Sequence, residues 1–158
     1  MARRRGHSVT RAPEPRRRPW QTSGVPVAFN HTIVHSRDAQ ESATLFSEIM
    51  GLPAPAPFGP FLMVPLEHGG SLDFATTDTE ISPQHYAFLV TEDDFDAIYG
   101  RILDRGIEHY PEPHLGKKNA INHNDGGRGV YWSDPSGHFL EIITVPYGGW
   151  PTGVEHRP

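Results

Sequence analysis

Two histidines open two strand-like runs in this chain, and one carboxylate closes each half that follows. Phe29-Asn30-His31-Thr32-Ile33-Val34 stands near the start, and His85-Tyr86-Ala87-Phe88-Leu89-Val90 stands later. Leu72-Asp73-Phe74 ends the first half, and Leu140-Glu141-Ile142 ends the second. Overlaying the two halves brings His31, His85 and Glu141 together as a candidate metal site, with Asp73 as a candidate fourth member. Two imidazoles and a carboxylate on one face leave several coordination positions open, the arrangement that non-haem Fe(II) oxygenases use. The chain has no cysteine, so thiolate chemistry and disulfides are excluded. Nitrogen and oxygen donors suit one divalent ion: Fe(II), Mn, Zn, Ni or Co.

The elements that must position these groups follow from periodicity. Val25 to Val34 is rich in β-branched and aromatic residues and reads as a strand. Ser36 or Asp38 offers a helix N-cap, Ala39, Ala43, Phe46, Ile49 and Met50 follow at helical spacing, and Gly51 stops the helix. Pro53 to Pro57 excludes helix and central strand. Phe61–Leu66 and Ser71–Ala75 read as strands joined by a Gly69-Gly70 turn. The second half repeats this order: a strand at 85–90, a helix capped by Thr91 and ended by Gly106, and a short strand at 107–110. A long loop at 111–128 follows, then strands at 129–133 and 139–145 around an Asp134-Pro-Ser-Gly137 turn. Each half is βαββ(β), and the chain is α+β with helices on one face of mixed sheets.

Side chains alternate across a strand. His31, Ile33 and His35 share one face, as do His85, Ala87 and Leu89; Asp73 and Glu141 fall on faces of the same kind. The opposite faces carry Val34, Phe74, Phe88, Leu140 and Ile142, suited to packing under helices. A curled sheet would then form a cup lined by His, His, Glu and Asp. Burying a carboxylate there costs several kcal/mol unless a cation compensates.

Seven of the 14 basic residues but one of the 19 acidic ones lie in residues 1–18. The remainder balances to −11, which argues against nucleic-acid binding by the folded part. Residues 1–24 read as a disordered Arg- and Pro-rich tail, residues 25–147 as one domain with modules at about 25–80 and 81–147, and 148–158 as a C-terminal tail. No apolar run reaches the ~18 residues of a membrane span, and no signal segment is visible, so a cytoplasmic protein without membrane association is expected.

The segments around His31 and His85, and above all Gly126-Gly-Arg-Gly-Val-Tyr-Trp-Ser-Asp-Pro-Ser-Gly-His-Phe-Leu-Glu-Ile142, resemble the vicinal oxygen chelate superfamily. Its members include glyoxalase I, extradiol dioxygenases, fosfomycin and bleomycin resistance proteins and methylmalonyl-CoA epimerase. The resemblance spans roughly residues 25–147. It implies paired βαβββ modules forming a cup around one divalent metal, commonly in a homodimer, with ligands at His31, His85 and Glu141. Glyoxalase I members add a carboxylate where this chain has the shorter Asp73. Bleomycin-binding members usually lack the ligands.

Such a site binds adjacent oxygens of a small-molecule substrate and stabilises the anion that develops. Catalytic acid–base candidates are His123, in the long loop, and Tyr131. Asp73, His35, Asn122, Asn124 and Arg128 are candidate substrate contacts, and Lys118 could meet an anionic group. Dioxygenase-type chemistry leads over lyase or isomerase chemistry. The alternatives are a protein that sequesters an antibiotic or metabolite in a Trp-rich cleft (Trp132 and Trp150), and a domain whose metal is structural. Open sheet edges and exchange of similar units favour a dimer.

Overall fold

The computed structural model describes residues 28–114 and 116–150. The expected N-terminal tail at 1–24 lies outside these residues, and so does the expected C-terminal tail at 148–158 except for Gly148–Trp150. The element order is β1 (His31–Ser36), α1 (Ala39–Met50), β2 (Ala56–Phe58), β3 (Phe61–Pro65), β4 (Ser71–Thr76), β5 (His85–Leu89), α2 (Glu92–Asp104), β6 (His109–Tyr110), β7 (Gly129–Ser133) and β8 (Phe139–Ile143). The repeat is thus βαβββ twice. The two sheets have the orders β1-β4-β3-β2 and β5-β8-β7-β6, so their topologies are the same. In each, the first and last strands of the module pair in parallel and the other pairs are antiparallel.

Local chemistry sets the boundaries. Asp38, not Ser36, caps α1, its carboxylate accepting from the N–H groups of Gln40 at 2.8 Å and Glu41 at 3.1 Å. Gly51 ends α1 in the left-handed region at φ 70°, where a side chain would be strained. Thr91 caps α2 by accepting from Asp94 N–H at 3.1 Å, and three acids occupy its first turn. β1 begins at His31, with Ala28–Asn30 irregular before it. The expected Gly69-Gly70 turn is a short 3-10 turn at Glu67–Gly69, closed by Leu66 N–H donating to Gly70 C=O at 2.8 Å. The proline-rich run reaches a strand only at its end, in edge strand β2, where a missing N–H is tolerated.

One apolar core runs through both modules. Val34, Phe46, Ile49, Phe74, Phe95, Ile98, Trp132, Leu140 and Ile142 belong to it and are almost wholly buried. Each large side chain so buried contributes about 1.5–3 kcal/mol relative to exposure. The Phe46 ring of α1 lies 5.9 Å from Phe74 of the first sheet and 5.3 Å from Phe88 of the second, so the helix-facing sides of both sheets share this core. α2 is tied to α1 by Arg101 Nε donating to Ile49 C=O at 2.6 Å.

The modules also meet at a polar seam. His138 is buried, and its Nδ1 accepts from Gln84 N–H at 3.0 Å. Its Nε2 donates to the His35 carbonyl of the first module at 2.8 Å. Asp134 closes the turn before it, accepting from the N–H groups of Ser136 at 2.9 Å and His138 at 2.7 Å. Burial pushes the Asp134 carboxyl above its usual value.

Candidate functional site

Register puts the candidate residues on the sheet faces that turn away from the core. In the second sheet, Ala87 pairs with Glu141 and Glu141 with Tyr131, while Tyr131 pairs with Tyr110, so these four form one row across the sheet. His85 stands one step along the same face. In the first sheet Ile33 pairs with Asp73, and His31 is again one step away. Asp73 therefore holds in the first module the place that Glu141 holds in the second.

Glu141 is fully buried. Its Oε2 lies 3.0 Å from His85 Nε2, and its Oε1 accepts from the Tyr147 hydroxyl at 2.6 Å. Among the described residues no lysine or arginine pairs with it. The His85 side chain is 41% exposed, and its ring centroid is 5.6 Å from that of Tyr131. The Tyr131 hydroxyl meets the Tyr147 hydroxyl. Burial, and then the hydrogen bond near Glu141, holds the Tyr131 phenol far above its ordinary range; burial raises Tyr147 as well. Both phenols thus stay protonated and can donate.

His31 is exposed, and its Nδ1 donates to Asn30 Oδ1 at 2.7 Å, which leaves Nε2 with a free lone pair. Asp73 is 4% exposed and accepts from Ser71 Oγ at 2.8 Å. His35 is exposed on the His31 face. The donor set fits a divalent cation. A buried carboxylate without a cation is unfavourable. The 3.0 Å between His85 Nε2 and Glu141 Oε2 is also the separation of two neighbouring ligands with bonds of ~2.1 Å. Among the described residues, however, no three His, Asp or Glu side chains come together within one chain. His31 and Asp73 sit on one sheet, and His85 and Glu141 on the other.

The remaining predicted contacts stand elsewhere. Arg128 shares the parity of Val130 and so faces the helices, opposite to Tyr131. Its Nε donates to Glu92 Oε2 at 2.6 Å and its Nη1 to Asp96 Oδ1 at 2.5 Å, and its guanidinium lies 4.4 Å from the Phe95 ring centroid. It braces α2 and is not presented to the cup, which corrects the expectation of a substrate contact. Asn122 braces the long loop, donating to Pro111 C=O at 2.8 Å and accepting from Asn124 N–H at 3.2 Å. Asn124 lies in an exposed 3-10 turn, and His123, just before it, is exposed with no hydrogen bond to the cup residues. Lys118 pairs with Glu108 at 2.5 Å. Trp132 is buried in the core, so it cannot line a cleft. A cleft of about 480 Å³ at the start of α1, between Asp38, Gln40, Phe61 and Thr76, holds none of the candidate residues.

Sequence reasoning missed Tyr147. It lies beyond β8, and its only sequence signal is the Pro146-Tyr-Gly-Gly149 turn that returns the chain toward Glu141.

Twin βαβββ modules, each with a histidine and a carboxylate on the sheet face turned away from the core, define the class of fold. The chain belongs to the vicinal oxygen chelate superfamily. It is 54% identical to the solved structure of the oxidase ChaP-H1 over 78% of this chain and 99% of that one, with a TM-score of 0.75. For the oxidase ChaP-H2 the identity is 49% over 79% and 98%, with a TM-score of 0.77. The glutathione transferase FosA of Serratia marcescens is 29% identical over 73% of this chain and 79% of its own length. The metallothiol transferase FosB of Shouchella clausii is 37% identical, but the match spans only 37% of that protein. A lactoylglutathione lyase from Agrobacterium tumefaciens shares the fold at 16% identity, over 75% of this chain and 93% of that one, with a TM-score of 0.57. No family model matches the chain. Among the described residues no helix is long and apolar enough to cross a membrane.

Proposed function

We propose that this protein is a divalent-metal-dependent enzyme that consumes dioxygen while acting on a small oxygenated substrate, with His31, His85 and Glu141 holding the metal. The buried Glu141 carboxylate carries this reading: its polar partners are an imidazole and a phenol, and among the described residues no lysine or arginine pairs with it. Likeness to two proteins named oxidases, over nearly their whole length, supports the reaction class. A divalent ion supplies Lewis acidity to bound substrate oxygens and, when redox-active, access to dioxygen chemistry.

The chain's own residues do the rest. Asn30 holds Nδ1 of His31 and so keeps Nε2 free for a ligand role. Tyr131, on the Glu141 row and protonated, donates a hydrogen bond to a substrate oxygen as negative charge builds on it. Since His31 stands on the other sheet, the third ligand comes from a second copy of the chain. The cup faces fit that role: Ile33, Phe58 and Leu89 lie on them and are exposed in the single chain. The dimer places His31 of one copy beside His85 and Glu141 of the other.

The test is metal content of chelator-free protein, anaerobic Fe(II) reconstitution, and oxygen uptake with a catechol panel. About one metal per chain with uptake is expected. One metal without uptake, together with glutathione-conjugating activity, would replace the oxidase reading by thiol transfer. No metal, and no stabilisation by any divalent ion, would leave a sequestering protein.

A further inference from the structure

We propose that Tyr147 is a positioning residue that makes Glu141 a one-oxygen ligand; the proposal rests on the metal reading above. The strap that carries it is built for the purpose. After β8, Thr144 is fastened to the neighbouring strand: its N–H donates to Arg128 C=O at 3.0 Å, and its Oγ1 accepts from Arg128 N–H at 2.9 Å. The chain then reverses in a turn closed by Gly149 N–H donating to Pro146 C=O at 2.9 Å. Gly148 takes φ 79° at the third position, a conformation that favours glycine. Tyr147, at the second position, is returned over the sheet.

What the strap holds is the hydroxyl rather than the ring. Tyr147 is 57% exposed, so packing gives it little reason to be there. Yet its O–H donates to Glu141 Oε1 at 2.6 Å. The carboxylate can only accept, so the Tyr131 O–H in turn donates to Tyr147, and the two phenols form a directed chain ending on Oε1. Oε2, the atom facing His85 at 3.0 Å, is the oxygen left for a cation. A carboxylate held by one oxygen occupies one coordination position where a chelating one would occupy two. The position so kept open is the one a substrate needs in order to bind through two oxygens.

The experiment is Co2+ titration of the full-length protein, followed by calorimetry and visible absorption, for wild type, Y147F and E141Q. Groups that orient a ligand typically contribute 10- to 100-fold in metal affinity. Y147F is expected to raise the Co2+ Kd about 10-fold or more and to change the visible spectrum as the freed carboxylate chelates. Its metal-free Tm should stay within about 2 °C, since one hydrogen bond of a surface residue is lost. E141Q is expected to abolish tight binding. If E141Q loses Co2+ while Y147F keeps the wild-type Kd and spectrum, the role of Tyr147 falls and the metal site stands. If E141Q binds as wild type does, the site itself falls and this proposal with it. A metal-free Tm loss above about 5 °C in Y147F would assign the residue to packing and overturn the proposal.

Discussion

Replacing His138 by leucine is expected to lower the folding stability by about 2–4 kcal/mol. The imidazole is 1% exposed and makes two bonds that join separate parts of the chain. Nδ1 accepts from Gln84 N–H at 3.0 Å, so it carries no proton, and Nε2–H donates to His35 C=O at 2.8 Å. The ring edge also meets Tyr86, with centroids 5.7 Å apart. Leucine keeps most of the volume, so the cavity cost is small. What is lost is the pairing of one N–H and one C=O at the module seam. Each unpaired buried group costs about 1–3 kcal/mol, and the lower part of that range applies because Gln84 and His35 are themselves exposed residues. The Tm should fall by roughly 10 °C for a domain of this size. Urea unfolding followed by the fluorescence of buried Trp132 measures the difference, with an unchanged m value showing that the folded state is intact. Protein concentration must be held constant, because the proposed dimer would contribute to apparent stability. A loss below about 0.5 kcal/mol would refute the reasoning, since it would mean that the Gln84 N–H and His35 C=O do not depend on the imidazole for their pairing.

Subunit complementation tests the shared site. H31A and E141Q proteins should each lack tight metal, and refolding an equal mixture should restore about a quarter of the sites, because half the dimers are mixed and each has one intact site; no recovery would place all ligands in one chain. Gly127→Ala should cost about 1–3 kcal/mol by thermal melt, because its Cβ would meet Val145 Cγ2 at 2.7 Å and Thr144 Oγ1 at 2.8 Å. Glu92 gives a pH dependence: a hydrogen bond with Thr144, and then the Arg128 guanidinium, hold its carboxyl below the ordinary 4.5. A lowered folded value stabilises above the unfolded value and is lost as pH falls through the folded one. The stability difference between wild type and E92Q should thus be full above about pH 4.5 and vanish on acidification. It should stay below about 1 kcal/mol and shrink in salt, because Glu92 is exposed; a difference that grows on acidification would contradict it.

The elements were legible because each carries its own punctuation. Asp38, Gly51 and Thr91 mark helix ends by local hydrogen bonding and backbone conformation, which do not depend on the rest of the fold. Strand parity was legible for the same reason, and it separates His31, His85, Asp73 and Glu141 from the core. The partners of Arg128 were not legible. The sequence placed it among the candidate substrate contacts, whereas its parity with Val130 turns it to α2, and only the three-dimensional path of α2 brings Glu92 and Asp96 to it. Tyr147 and His138 were hidden by the same limit. One reaches Glu141 through a turn, and the other joins residues 103 and 54 positions away.

The geometry of the repeat explains why a complete site should need two copies. Within one chain the helix-facing sides of both sheets are spent on a single core, with Phe46 touching Phe74 on one side and Phe88 on the other. The faces that carry His31 and Glu141 are the reverse sides of those two sheets. They cannot meet without breaking the core that makes the chain fold, and breaking it would expose side chains worth about 1.5–3 kcal/mol each. A second copy removes the conflict, because it brings an equivalent face from outside. The exposed Ile33, Phe58 and Leu89 then gain a reason to be apolar, and the buried Glu141 carboxylate, which meets only an imidazole and a phenol among the described residues, would gain a cation held by two chains. On this argument metal binding and dimerisation are one equilibrium. Chelation should therefore lower the dimer's association constant, and dilution should lower the apparent metal affinity.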